Sequence, residues 1–197
     1  MARLYDKVRA VRKLFGRADR EIASFKRKTS LGCPSGCAEC CKKENIEATT
    51  LEFLPLAYNA YKNGTLCEMI QRVESSTDDG LCPLLDRFIS ADSPGGCNSY
   101  PERGMICRLF GFAATTDKLG RAQLAACRVV KERDPDQYQK IYAEILAGAK
   151  APLFINYYLA LYTIDPAMSR EYFPLRQAIL NALSYVAFYY SFRNRRA

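Results

Sequence analysis

The sequence predicts a mainly α (α+β) fold: a helical frame at both ends around an irregular, cysteine-rich middle with a small β-hairpin. Two observations support this prediction. Apolar residues recur at steps of three and four towards both termini, and all nine cysteines lie between Cys33 and Cys127, in a segment rich in glycine and proline. A chain of 197 residues can bury a core without cross-links, and we predict a single domain over residues 1–197.

The first predicted element is a long amphipathic helix. Its buried face consists of apolar residues at helical spacing: Leu4, Val8, Val11, Phe15, Ala18, Ile22 and Phe25. Basic residues occupy the other face. A solvated face and a surface for an acidic partner both fit this pattern. Because no aromatic residues interleave with the charges, a nucleic-acid partner is not expected, whereas an unidentified protein partner stays open.

Two shorter helices are predicted after the first cysteines. Thr49 and Glu52 have the spacing of a capping box, so a helix is expected from there to Asn63-Gly64. A second helix fits residues 66–74. From residue 78 to residue 128 the helical period is lost, which indicates irregular structure with a few strands.

One hairpin is expected within that irregular part. The segments LFGFAATT and RAQLAACR flank Asp117-Lys-Leu-Gly120, and a turn of this composition between two apolar segments is typical of a β-hairpin.

The C-terminal part, residues 134–197, is predicted to be helical again. Asp134 can cap a helix that has Pro135 at its first position and Gln137 in the box position. Asp165-Pro166 repeats the start signal, and a last helix is expected over about 175–192. The buried faces are expected to hold Tyr138, Ile141, Tyr142, Ile145 and Ala149 in one helix and Leu175, Ile179, Leu183, Val186 and Tyr190 in the last.

The densest feature of the sequence is CPSGCAECC, with four cysteines in residues 33–41 of a chain that has no histidine. Thiolates are soft ligands that favour zinc, copper(I) and iron–sulfur clusters. Adjacent residues point in different directions, so Cys40 and Cys41 suit two metals, or two corners of one larger assembly, better than a single ion. A disulfide between them is the alternative, and it requires a strained peptide geometry.

The compartment is expected to be the reducing cytoplasm. The first twenty residues interrupt their apolar positions with charge and lack the core of an export signal. No apolar stretch reaches the ~18 residues of a membrane span, and we predict a soluble protein with reduced thiols.

Three segments together resemble a known family. CPSGCAECC, then Cys82-Pro-Leu-Leu-Asp86, then CNSYPERGMICRLF at 97–110 are similar to the YkgJ-like cysteine-cluster family, the CxxCxxCC zinc- or iron-chelating domain. The resemblance covers about residues 30–128, which we predict to be the metal-binding region. Tyr100, Arg103, Cys107 and Arg108 follow the family pattern, whereas Gly104 and Gly111 stand where the family has proline.

The resemblance, together with the number of ligands that metals need, implies a set of metal-binding residues. Eight thiolates are enough for two four-coordinate metals or two cubane clusters. Cys67 is expected to be an ordinary buried thiol that can replace Cys127 in the set. Arg103 and Arg108 either offset the charge of the thiolates or form surface ion pairs. The implied ligands are Cys33, Cys37, Cys40, Cys41, Cys82, Cys97, Cys107 and Cys127.

Two functions follow from this set, and a third fits the sequence least. The first is a metal-binding protein with a structural, redox or metal-handling role, in which iron–sulfur ([4Fe–4S]) is preferred over two zinc ions. The alternative is an iron–sulfur enzyme that uses S-adenosylmethionine, such as a protein (lysine) methyltransferase, because flagellin N-methylase resembles the family. No glycine-rich nucleotide loop supports that cofactor, and no catalytic residue can be named. A zinc-ribbon module for nucleic acid needs paired CxxC knuckles, which are absent.

Overall fold

The computed structural model describes residues 3–34, 36–76, 80–86 and 96–194, and within these ranges the chain is mainly helical. This confirms the predicted fold class. The described helices are α1 (Leu4–Thr29), α2 (Leu54–Lys62), α3 (Leu66–Ser75), α4 (Met105–Leu109), α5 (Arg128–Arg133), α6 (Pro135–Leu146), α7 (Phe154–Ile164), α8 (Pro166–Ser169) and α9 (Leu175–Asn194), with short 3₁₀ helices at Glu39–Lys42, Thr50–Phe53 and Tyr100–Glu102.

The described strands are short and pair into antiparallel two-stranded sheets. They are β1 (Glu47–Thr49) with β6 (Tyr172–Pro174), β2 (Leu85–Asp86) with β3 (Gly96–Cys97), and β4 (Ala114–Thr116) with β5 (Ala122–Leu124). The pair β4–β5 confirms the predicted hairpin, and its turn is closed by the Gly120 N–H, which donates to the Asp117 carbonyl at 3.0 Å. The pair β1–β6 joins segments far apart in the sequence and was not predicted.

The predicted N-terminal helix is confirmed as α1. All seven apolar residues of its predicted face are buried, together with Leu14. Lys7 is buried as well, because its ammonium pairs with the carboxylate of Asp165 and lies 3.5 Å from the hydroxyl of Tyr185. The helix is therefore held to the C-terminal helices by apolar packing and by a buried ion pair.

The capping box at Thr49 and Glu52 is present, but the turn it begins is 3₁₀, and the α-helical part starts at Leu54. The helix ends at Asn63-Gly64 as predicted, with Gly64 at φ +75°, a conformation that glycine adopts at little cost. Both α2 and α3 pack against α9. The last helix of the chain therefore packs against two helices of the N-terminal half.

The helix starts predicted for the C-terminal part are confirmed, but Tyr142, Leu175 and Tyr190 of the predicted faces are only half-buried, and Ala149 is an exception. Asp134 accepts the N–H of Gln137 at 3.0 Å and caps α6. Tyr138, Ile141 and Ile145 of the predicted face are buried. Ala149 is exposed and does not belong to that face, because α6 ends at Leu146 and the chain turns at Gly148.

The buried side chains of both ends form one apolar cluster that supports the cysteine-bearing middle. In that middle the expected irregular structure is interrupted by α4, which packs against α1. Part of the segment predicted to be irregular, residues 78–79 and 87–95, lies outside the described residues. No helix in the described ranges is long and apolar enough to cross a membrane.

Candidate metal centre

The loop that follows α1 carries the first four cysteines. It turns at Gly36, whose φ of +68° is one that glycine adopts readily, and the N–H of Cys37 donates to the Pro34 carbonyl at 3.2 Å. The N–H of Cys41 then donates to the Ala38 carbonyl at 2.8 Å in the 3₁₀ helix. These tight turns bring the four thiols close together although the loop is short.

The beginning of this loop is tied to α5 and α6. The Gln137 amide donates to the Thr29 carbonyl at 2.7 Å, and the Arg133 guanidinium donates to the Gly32 carbonyl at 3.3 Å. Cys127 is the N-cap residue of α5 and is buried. The two contacts therefore hold the loop beside the helix that carries Cys127.

Backbone hydrogen bonds bring Cys82 and Cys97 to the other side of the loop. The N–H of Cys82 donates to the Cys41 carbonyl at 2.8 Å. Three residues later, Leu85 lies opposite Cys97 in the β2–β3 pair. Cys41, Cys82 and Cys97 are thus fixed relative to one another by main-chain contacts.

Cys107 lies on α4, and the carboxylate of Glu52 holds the start of that helix. Glu52 is fully buried and accepts the Ile106 N–H at 2.8 Å on one oxygen and the Thr49 N–H at 2.9 Å on the other. Burial raises the pKa of Glu52, although these hydrogen bonds oppose the shift. The phenol of Tyr158, on α7, interacts with the same carboxylate.

At the solvent-facing end of the centre, Cys33 has three thiol neighbours. Cys33 is exposed, and it interacts with Cys37, with Cys127 and, more weakly, with Cys40. Burial of the thiol, followed by the neighbouring Cys37 and Cys127, raises the pKa of Cys33 to about 12. Negative charge is therefore unfavourable here unless a cation accompanies it.

Further inside, the thiols of Cys40 and Cys41 interact with each other, and Cys41 also interacts with Cys82 and Cys97. Cys41 and burial raise the pKa of Cys40. Cys40 lowers the pKa of Cys41, but Cys82, burial and Cys97 outweigh it, so the pKa of Cys41 rises to about 12. The two adjacent residues thus lie between the solvent-facing thiols and the inner ones.

The inner thiols of Cys107 and Cys97 complete the arrangement. Burial raises the pKa of Cys107, and Glu52 and the thiols of Cys40, Cys41 and Cys97 add to the effect, although part of the residue's surface is exposed. Burial also raises the pKa of Cys97, whereas Ser99 and the guanidinium groups of Arg103 and Arg72 oppose it. Some positive charge is therefore already available to the inner thiols.

The eight predicted ligands are linked through their neighbours into one group, which we call the cysteine cluster. Its members are Cys33, Cys37, Cys40, Cys41, Cys82, Cys97, Cys107 and Cys127. All nine cysteines lie in the described ranges, and each is free of disulfides. Among the residues that the structure describes, no three Cys, Asp or Glu side chains are arranged so as to hold a metal ion as they stand.

The expectation for Cys67 is half right. The residue lies on a helix, α3, outside the cysteine cluster, but it is exposed instead of buried. Leu66 and Val73 occupy the buried face of α3, and position 67 points away from it. Cys67 therefore serves as an internal comparison for the thiols of the cluster.

Arg108 does not form a surface ion pair. It is buried, lies over the ring of Phe15 at 4.2 Å, and donates to Asp19 and to the Pro101 carbonyl at 2.5 Å each. A third bond reaches the Arg103 carbonyl at 3.1 Å. Arg108 therefore anchors the segment before Cys107 to α1.

Arg103 is closer to the expected role of offsetting thiolate charge. Its guanidinium lies 3.9 Å from the ring centre of Tyr100, within 3.6 Å of Asp19, and near enough to Cys97 to lower the pKa of that thiol. Lys26 on α1 also lies near Cys33: burial lowers the pKa of Lys26, and the thiol of Cys33 opposes that shift. This neighbour was not predicted, because its position beside the loop depends on the tertiary fold.

The structure explains one departure from the family pattern. Gly104 has φ −59° and ψ 167°, which suit proline. A Cβ at this position, however, would lie 2.7 Å from Cζ of Phe53 and 3.3 Å from Oε2 of Glu52. Glycine at 104 is therefore required by the ring of Phe53 and not by the backbone.

This explanation predicts how Gly104→Pro behaves in two backgrounds. In the natural sequence, overpacking lowers the free energy of unfolding by about 1–3 kcal/mol. In a Phe53→Leu background the same change costs less than half as much, because the colliding part of the ring is gone. Urea unfolding of the four proteins of the cycle measures the coupling. An equal cost in both backgrounds contradicts the explanation.

Gly111 departs from the family pattern in a different way. Its φ of +94° is closed to proline, and its N–H donates to the Ala125 carbonyl at 2.8 Å. The turn after α4 therefore differs from a proline-containing turn in its backbone, whereas the position of Gly104 does not.

Fold and site together define a helical protein in which thiols from separate loops are gathered. The family described as "CxxCxxCC: Putative zinc- or iron-chelating domain" matches residues 32–140, more than half of the chain. The chain belongs to this family, which confirms the resemblance seen in the sequence. No match was found among curated proteins or among solved structures. The similarity to flagellin N-methylase stays a prediction.

Proposed function

We propose that the protein binds metal through the eight thiolates of the cysteine cluster, as iron–sulfur cluster(s) in preference to two zinc ions, in a structural, redox or metal-handling role. The observation that carries the proposal is the junction at Cys40 and Cys41. Cys33, which neighbours Cys37 and Cys127, also neighbours Cys40. Cys82 and Cys97 neighbour Cys41, and both adjacent cysteines interact with Cys107. Such an arrangement supports a polynuclear centre.

The chemistry of the donors also supports the proposal. The set contains only sulfur, and the chain has no histidine, so the mixed sites common for zinc are excluded. The raised pKa values of Cys33 and Cys41 have neighbouring thiols among their causes. A bound cation reverses that effect by stabilising the deprotonated sulfurs. Because no three Cys, Asp or Glu side chains in the described ranges are arranged for a metal as they stand, binding is accompanied by a rearrangement of the cysteine side chains.

Purification without oxygen, followed by metal analysis, distinguishes an iron–sulfur centre from a zinc centre. We expect a brown protein that contains iron and acid-labile sulfide, as a thiolate-bound iron–sulfur cluster requires. A colourless protein with about two zinc ions per chain, the number that eight thiolates hold at four each, favours the zinc version. A protein that keeps neither metal and takes up neither after reduction contradicts the proposal.

The enzymatic alternative is supported by the exposed end of the cluster. Cys33, in the CxxxCxxC segment, is open to solvent, so an added molecule such as S-adenosylmethionine can reach this part of the centre. The test is the absorption and electron paramagnetic resonance spectrum of the reduced protein with and without S-adenosylmethionine. A changed cluster spectrum supports the alternative, and an unchanged one counts against it.

Three further expectations remain proposals. The free thiols of all nine cysteines support a reducing, cytoplasmic location. The apolar cluster shared by both ends of the chain supports one domain over residues 1–197. The basic residues Arg9, Lys13 and Arg20 on α1 are exposed, which leaves a surface for an acidic protein partner.

A further inference from the structure

Within the described ranges, Glu52 is a fully buried carboxylate that contacts the segment carrying Cys107. Glu52 has no exposed surface, and it lies in the 3₁₀ helix Thr50–Phe53 that precedes α2. A carboxylate in such a position is costly unless donors surround both oxygens. The hydrogen-bond donors around the Glu52 carboxylate therefore indicate its structural role.

The two oxygens of Glu52 serve different elements. Oε1 accepts from the backbone N–H of Thr49 at 2.9 Å, which is one half of the capping box, and also from the Thr49 hydroxyl at 3.1 Å. Oε2 instead accepts the N–H of Ile106 at 2.8 Å. Ile106 is the second residue of α4, and its N–H has no partner within that helix. One side chain thus caps the 3₁₀ helix in which it lies and also α4, whose Ile106 is 54 residues further along the chain.

The residue after Ile106 is Cys107, so the orientation of α4 fixes where this thiol points. Gly104 adds to the constraint, because even a Cβ there would come within 3.3 Å of Oε2 of Glu52. The start of α4 therefore lies directly on the carboxylate, with no space between them for another side chain.

Residues outside the family match enclose the same carboxylate. Tyr158 of α7 lies beside it, and the ring of Tyr172 in β6 lies 5.6 Å from that of Tyr158. In the β1–β6 pair, Tyr172 is directly opposite Thr49. The C-terminal helices thus cover the point at which Glu52 meets α4.

We propose that Glu52 is a positioning residue for the metal centre: by holding the Ile106 N–H, it fixes Cys107 in place against the other inner thiols. The C-terminal part of the chain keeps this contact dry by covering it with Tyr158. The relevance to metal rests on the proposed function, whereas the placement of Cys107 does not.

The test compares two substitutions that act on opposite oxygens of the same carboxylate. Glu52→Gln leaves only one acceptor oxygen, so either Ile106 or Thr49 faces an NH₂ group. Thr49→Val removes a hydroxyl donor on the Oε1 side and leaves the bond to Ile106 intact. Both weaken the capping box, but only the first is expected to loosen α4.

The measurement is the rate at which each cysteine is alkylated in the reduced, metal-free protein, read by peptide mass spectrometry. For Glu52→Gln we expect the rate at Cys107 to rise about tenfold or more, which corresponds to losing one hydrogen bond to a charged group. The rates at Cys33 and Cys67 stay within about twofold, and Thr49→Val leaves Cys107 near its natural rate.

A rise at Cys107 that is equal in Glu52→Gln and Thr49→Val overturns the proposal, since general loosening would then explain it. No rise in Glu52→Ala, which removes both acceptor oxygens and so cannot turn one towards Ile106 as the substituted glutamine can, overturns it as well. If Glu52→Gln does not fold, Tyr158→Phe takes its place: it must raise the Cys107 rate more than Thr49→Val does. Because no metal is present, failure of this test is distinguishable from failure of the proposed function, which the metal content of the natural protein decides.

Discussion

Cys41→Ala is expected to lose about half of the bound metal or the whole of a shared cluster, because the thiol of Cys41 interacts with those of Cys40, Cys82 and Cys97. Four thiolates are needed for each tetrahedral metal or cubane. Removing the Cys41 thiol leaves the inner sulfurs one ligand short. Metal and acid-labile sulfide per chain, measured on protein purified without oxygen, check this expectation.

The matched control is Cys67→Ala. Cys67 is also a cysteine on the same chain, but it is exposed on α3 and does not belong to the cysteine cluster. The full metal content should be retained. Equal losses in the two variants, or no loss in Cys41→Ala, contradict the assignment of Cys41 as a ligand.

The second large effect is expected for Arg108→Ala, which should lower the free energy of unfolding of the metal-free protein by about 3 kcal/mol or more, given roughly 1.5–3 kcal/mol for each hydrogen bond to a charged group. The guanidinium bonds to Asp19, to the Pro101 carbonyl and to the Arg103 carbonyl. The half-exposed carboxylate of Asp19 regains water in the variant, which reduces the loss. Urea unfolding measures it.

Arg12→Ala is the appropriate comparison for Arg108→Ala. Arg12 also joins α1 to the segment before α4, through Glu102 at 2.9 Å, but 41% of its side chain is exposed. An exposed pair contributes at most about 1 kcal/mol. If Arg108→Ala costs no more than Arg12→Ala, the buried guanidinium does not anchor the segment as described.

Local signals in the sequence predicted most of the helical frame. The face of α1, the capping box at Thr49 and the Asp134-Pro135 start of α6 all depend on residues within one or two turns of each other. Ala149 was assigned wrongly because Gly148 ends the helix before it. Ala149 continues the spacing of apolar residues in α6, and that spacing gives no sign of where the helix ends.

The pairings that build the site could not be read from local patterns. Glu52 was recognised as a helix start, but its bond to Ile106 joins segments that only the tertiary fold brings together. The same holds for Arg108, whose carboxylate partner Asp19 lies on α1. The set of eight ligands came from the family resemblance and not from spacing alone, and it stays a prediction until metal binding is measured.

The measurement that tests the central claim most directly is site-by-site alkylation of the protein isolated with its metal and without oxygen. We predict rapid labelling at Cys67 and protection of the eight cysteines of the cluster until a chelator and denaturant are added. Cys33 decides the result, because it is exposed and only a bound metal can protect it. Labelling of Cys33 as fast as Cys67, with no metal released on denaturation, contradicts the account.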